Sequence, residues 1–135
     1  MKYVVISGSG TGEQHRDFVY VRDVVRANIP LSLHSDMPMA PASPLVLMHA
    51  AVNRINYANK VAGPNQRISA LNALKGVTLN AAYTINLEED YGSVTVGKYA
   101  NFTVLSDNPL TINPLKIKDI KVKGTIVEGK VFRAP

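Results

Sequence analysis

With 135 residues the chain has room for one domain with a sizeable core, and not for two. Its 46% hydrophobic and 19% charged residues exclude a disordered protein, and no apolar run nears the ~20 residues of a bilayer span. The charge of +5 invites a nucleic-acid reading, but the excess sits at Lys116, Lys118, Lys121, Lys123 and Lys130, in a stretch that reads as strands. Lysine there guards strand edges, and no aromatic residues interleave with it as a stacking platform would require. Neither a nucleic acid nor a membrane is therefore expected as a partner. The absence of cysteine excludes disulfides and thiolate metal ligands and fits a cytoplasmic location. The opening MKYVVIS, with one lysine and a very short apolar patch, does not read as a signal peptide.

Tyr3 to Ile6 forms a short β-branched run leading into SGSGTG, Ser7 to Gly12. A dinucleotide fingerprint would need glycine where Glu13 stands, so this stretch reads as a turn. From Asp17 to Ala27, Phe18, Val21, Val24 and Val25 recur at helical spacing. Pro30 ends that pattern, and Leu31 to Leu33 read as a short strand that spills into His34, Ser35 and Asp36. A loop holding Pro38 and Pro41 follows. Pro44 to Lys60 reads as a helix with proline in its first turn and a stripe of Leu45, Met48, Val52 and Ile55. Gly63-Pro64-Asn65 breaks the chain. Ser69 caps a helix through Lys75 with Leu71 and Leu74 on one face, and Thr78 caps another through Ala81 and Ala82.

From Tyr91 onward the character changes to short alternating segments. Strands are expected at Val94–Val96, Phe102–Val104, Ile120–Val122, Thr125–Val127 and Val131–Phe132, the last two joined by a Glu128-Gly129 hairpin turn. Five short strands and one orphan strand near residue 32 leave many unpaired edges, so the chain reads as part of something larger.

Two separated motifs carry a family resemblance. HSDMPMAPASPL, His34 to Leu45, resembles the loop after the last barrel strand in the amidohydrolase superfamily, in the branch called YtcJ-like (amidohydrolase family 3). GSVTVGKYANFTVLSDNPL, Gly92 to Leu110, resembles that superfamily's return from barrel to β-sandwich. ALNALKGVTLNAAYTI and the closing VKGTIVEGKVFR are similar to the helical stretch and final hairpin of the same family. Asn101 stands where the family has aspartate, at a position expected to be structural, and His34 stands where many members have glycine.

The resemblance implies an α/β fold: the C-terminal portion of a (β/α)8 metal-dependent hydrolase barrel, plus strands of a composite β-sandwich. The implied division is 1–16 unassigned, 17–90 the C-terminal part of the barrel, and 91–135 the sandwich strands. A complete barrel of this kind takes about 250 residues. The family's His-x-His motif, its bridging Lys or Glu and its two later histidines are not found in this sequence. The implied activity is hydrolysis of carbon–nitrogen bonds, other than peptide bonds, in a small amide-like or cyclic substrate. The implied cofactor is a divalent metal of the zinc class, one or two ions in the complete enzyme and none necessarily held by this chain alone. The alternative is a non-catalytic remnant that folds as a strand-sharing homo-oligomer; the expected partner is a second copy or the missing N-terminal portion of the same enzyme.

Asp36 is the expected catalytic residue and, by the resemblance, the metal ligand. A carboxylate is a hard oxygen donor and also a proton carrier between an attacking water and a leaving nitrogen. From spacing alone Asp36 reads equally well as an Asx turn ending a strand. His34, two residues earlier, would share its face along an extended strand and is expected to contact substrate or orient Asp36, with direct metal ligation the alternative. Pro38, with Pro41 and Pro44, is expected to stiffen the pocket edge. His49 reads as a partly buried structural histidine. Glu88-Glu89-Asp90 reads as a solvated turn, and Tyr83, Tyr91 and Tyr99 as packing groups.

Overall fold

Helix α1 runs from Pro44 to Asn53, opened by a proline whose missing N–H costs nothing in the first turn. It stops seven residues before the expected Lys60, because Arg54 takes a left-handed φ of 58° and its N–H closes on the Ala50 carbonyl at 2.8 Å. Ile55, expected on the helix stripe, instead forms an isolated antiparallel bridge with Val61. The computed structural model describes residues 25–26, 28–38, 41–56 and 58–134. The SGSGTG turn, His15 and most of the expected 17–27 helix lie outside them; Val25 and Arg26 are helical.

Helix α2, Ala70–Val77, begins where Ser69 predicts it, with the Ser69 hydroxyl accepting the Asn72 N–H at 3.2 Å. Its inward face differs from the expected one. Ala70, Ala73, Leu74 and Val77, spaced three and four apart, pack on the core, whereas Leu71 is half exposed. Helix α3, Leu79–Thr84, follows directly. Thr78 does not cap it; its hydroxyl donates back to the Leu74 carbonyl at 2.8 Å.

Leu31 to Leu33 run without a ladder partner among the described residues, so the expected barrel strand is not present as a strand. The segment is fastened to helices instead. The Leu33 N–H donates to the Gly76 carbonyl at 2.9 Å, and the Asn80 amide donates to the Leu31 carbonyl at 3.1 Å. Gly76 permits that approach, since a Cβ there would meet the Leu33 side chain at 3.1 Å and the Leu31 carbonyl at 3.2 Å. Leu31, Met48, Ile68, Ala73 and Ile117 form the buried cluster at the centre of this helical part. Ile117 reaches it from a 3-10 segment, Pro114–Asp119, that lies against α1.

Three strands make the remaining sheet, in the order β1 (Phe102–Leu105), β2 (Val122–Val127), β3 (Lys130–Arg133), antiparallel throughout. The two expected strands around residue 124 are one strand running through Gly124, where a Cβ would stand 2.6 Å from the Phe132 carbonyl. Glu128 and Gly129 turn the hairpin with φ of 48° and 80°, the paired left-handed values of a type I′ turn. Val94–Val96 does not form a strand, and Val94 and Val96 stand almost wholly in solvent. Alternation alone makes no strand; this run has no partner among the described residues.

Candidate functional site

The segment without regular secondary structure that begins at Leu31 reaches a left-handed turn at Asp36, whose φ is 53°. Aspartate tolerates this left-handed turn better than most residues. The turn folds the Asp36 N–H back onto His34 Nδ1 at 2.9 Å. His34 therefore holds the Asp36 main chain and does not simply stand beside the carboxylate on one strand face, as even spacing suggested. The accepting Nδ1 leaves the ring proton on Nε2 in this arrangement. Both residues are exposed, and no hydrogen bond or ion pair from the described residues engages the Asp36 carboxylate. Met37-Pro38 is a cis peptide, and Pro38 is exposed at the rim of this turn.

These residues do not by themselves fit a metal centre. A zinc-class ion in a catalytic site takes three protein donors. The turn offers one carboxylate and one imidazole, with Nδ1 of that imidazole already occupied. No group of three or more His, Asp or Glu side chains that could hold an ion occurs among the described residues. Two surface hollows among the described residues lie elsewhere. One of about 140 Å³ is lined by Val25, Asn28, Leu31, Lys75 and Asn80, and another by Val52, Asn53, Arg67, Asn113 and Leu115. Neither is lined by His34 or Asp36.

His49 is buried, as its sequence setting suggested, and it is not idle. The Asn53 Nδ2 lies 3.1 Å from His49 Nδ1, 3.0 Å from the His49 carbonyl and 2.9 Å from the Pro114 carbonyl. Burial first, and then the Lys118 ammonium, push the His49 pKa below its ordinary value; the Pro114 carbonyl and Asp119 pull the other way. The His–Asn spacing of four marks a helical pair in the sequence. Nothing in the sequence marks the link to Pro114, 61 positions from Asn53.

The second motif is structural in this geometry. Lys98 Nζ donates to the carbonyls of Glu88 and Tyr91, and Tyr91 stacks on Tyr99 with centroids 5.2 Å apart. Asn101 Oδ1 accepts the Glu128 N–H at 2.7 Å and so ties the start of β1 to the hairpin turn. Glu89 and Asp90 are exposed, as expected of a solvated turn. Glu88 is only partly exposed, and its Oε2 is enclosed without a hydrogen-bond partner among the described residues.

Comparison with known proteins places these elements. Residues 6–133 match the family model described as "Amidohydrolase family". An N-substituted formamide deformylase of Arthrobacter pascens is 33% identical over 101 residues, which are 75% of this chain and 19% of that enzyme. An imidazolonepropionase of Christiangramia forsetii is 30% identical over 88 residues, 65% of this chain and 20% of that enzyme. The chain thus spans about a fifth of the length of these curated relatives. Among solved structures, an amidohydrolase from Thermotoga maritima MSB8 superposes with a TM-score of 0.64 at 22% identity, over 84% of this chain and 26% of that one. The superposition supports the arrangement of helices and sheet, and the match across nearly the whole sequence shows that the chain belongs to the amidohydrolase family.

Proposed function

We propose that this chain supplies the C-terminal part of a hydrolase acting on carbon–nitrogen bonds, other than peptide bonds, in a small amide-like or cyclic substrate. The observation that carries the reading is the Asp36 turn. Its main chain is fixed by His34, and its carboxylate is left exposed and engaged by none of the described residues. A carboxylate so presented can take a proton from a water attacking the substrate carbonyl carbon. It then returns that proton to the departing nitrogen as the carbon–nitrogen bond breaks. The two relatives named above suggest formamide-type and imidazolone-type substrates as the first to try. The Ser35-Asp36-Met37-Pro38 loop supports the YtcJ-like branch, with Leu31–Leu33 as the segment that a complete barrel would take up as a strand.

The test is hydrolysis of an N-substituted formamide and of an imidazolone ring by the purified chain supplied with Zn²⁺, before and after Asp36→Asn. A loss of about 100-fold or more in turnover supports Asp36 as proton carrier. Turnover untouched by the substitution overturns that role. A folded chain that shows no turnover and is also an oligomer favours the second reading, a non-catalytic strand-sharing homo-oligomer. That reading rests on the sheet, where Phe102, Ile126 and Val131 stand in one cross-strand row, with Phe102 and Val131 exposed, and neither β1 nor β3 has a second partner strand among the described residues. Native mass spectrometry separates it from a monomer.

A further inference from the structure

The hollow between the end of α1 and the Pro114–Asp119 segment takes no part in the chemistry above. Its volume is about 390 Å³, within the range of sites for small molecules. Val52, Ile55, Pro114 and Leu115 give it apolar walls, and Asn53, Arg67 and Asn113 are its polar residues. Asn53 spends its amide hydrogens within the protein, toward the His49 and Pro114 carbonyls. The other two keep donors in reserve. Arg67 donates Nε–H to the Asn53 carbonyl at 3.1 Å, a bond that orients the plane of its guanidinium. No hydrogen bond or ion pair from the described residues engages its two Nη groups. Asn113 accepts the Leu115 N–H on Oδ1 at 3.0 Å, which leaves Nδ2 as the unengaged end of an oriented amide.

We infer that this hollow binds a short aliphatic monocarboxylate, with Arg67 and Asn113 holding the carboxylate and Val52, Ile55 and Leu115 covering the tail. The surrounding charge selects the sign of the ligand. From Met37 to Leu87 the sequence holds no aspartate or glutamate, and it carries Arg54, Lys60, Arg67 and Lys75. On the facing 3-10 segment the single acid, Asp119, lies 3.9 Å from Lys116. A guanidinium that keeps its Nη groups and an amide that keeps its NH2 are both donors, and a carboxylate is the acceptor that suits them. It takes charge-assisted N–H···O bonds from arginine and has lone pairs left for the amide. An amine would meet only donors, and a neutral carboxamide would forgo the charge-assisted pair. The apolar walls match a hydrocarbon tail, and the volume limits that tail to a small molecule.

The deciding experiment is an NMR titration of the 135-residue chain with hexanoate, acetate and hexanamide. Hexanoate is expected to give saturable shifts at Val52, Ile55, the Arg67 Nε–H, the Asn113 side-chain amide and Leu115, while residues 102–105 and 130–133 hold their positions. Acetate lacks the tail and hexanamide lacks the charge, and each should bind at least about tenfold more weakly. In Asn113→Asp the side chain still caps the 3-10 segment but sets a negative charge against the ligand. That variant, like Arg67→Gln, should weaken hexanoate by about tenfold or more. Leu115→Ala should weaken hexanoate and leave acetate unchanged. The absence of a saturable hexanoate shift at these residues overturns the proposal. So does hexanamide binding as tightly as hexanoate, or hexanoate binding untouched by Asn113→Asp. A leucine-ended peptide that binds more tightly than hexanoate overturns the small-molecule assignment. The comparison of the three ligands on the wild-type chain decides alone should the variants fail to fold.

Discussion

The helical part and the sheet are held together by different forces. The helices α1 and α2, the Leu31–Leu33 segment and the Pro114–Asp119 turn share one dry cluster in which Met48 and Ile117 are almost wholly buried. The sheet contributes no residue to that cluster, and Gly124 is its only buried position. Its order comes from ladder hydrogen bonds, cross-strand pairs and turn chemistry. Burial of apolar surface stabilises by about 25 cal/mol per Å², whereas a hydrogen bond exchanged with water nets only about 1 kcal/mol. The same chain therefore contains one part governed by shape and volume and one governed by backbone geometry.

Substitutions can break that contrast. Met48→Ala or Ile117→Ala is expected to cost about 2–5 kcal/mol in urea unfolding, while Val131→Ala on the sheet stays within about 0.5 kcal/mol. An equal cost at Val131 would mean that the sheet face is covered in solution, and the contrast would fail. Gly124→Ala should cost about 1–3 kcal/mol, because the new methyl runs into the Phe132 carbonyl. Its effect should appear as shifted amide signals in β2 and β3 and leave α1 unchanged. Ser69→Ala removes the α2 cap and should cost about 1 kcal/mol in the same unfolding assay, without touching the sheet. Glu128→Asn should raise stability by a few tenths of a kcal/mol, since asparagine accepts the left-handed turn position more readily than glutamate. Its signature is a small rise in melting temperature; a fall would mean that the Glu128 side chain contributes more than the turn does.

Features decided locally were legible in the sequence. Pro44 and Ser69 start their helices because capping is settled within one turn, and Glu128-Gly129 reverses the chain for the same reason. Features decided by a partner were not. Val94–Val96 and Leu31–Leu33 have the composition of strands, but a strand exists only beside another, and the described residues provide none. The fusion of two expected strands through Gly124 depends on how closely β3 approaches, which no residue of β2 announces. In the candidate site, the end of the Leu31–Leu33 run near Asp36 was legible from the apolar residues before it and the prolines after it, while the role expected of Asp36 rests on the family resemblance. The His34 contact was not legible, because it depends on a positive φ that reverses the side-chain alternation at Asp36.

That positive φ also governs how Asp36 can be studied. Alanine at a left-handed position carries a backbone penalty of about 1 kcal/mol or more, so an alanine variant would lose its carboxylate and its turn together. Asparagine tolerates the same dihedrals and has nearly the same shape, removing only the charge. A conventional alanine scan would overstate the residue's chemical importance by folding a conformational defect into it. The carboxamide separates the two, and any difference between the variants measures how far the position of the acid, apart from its presence, matters.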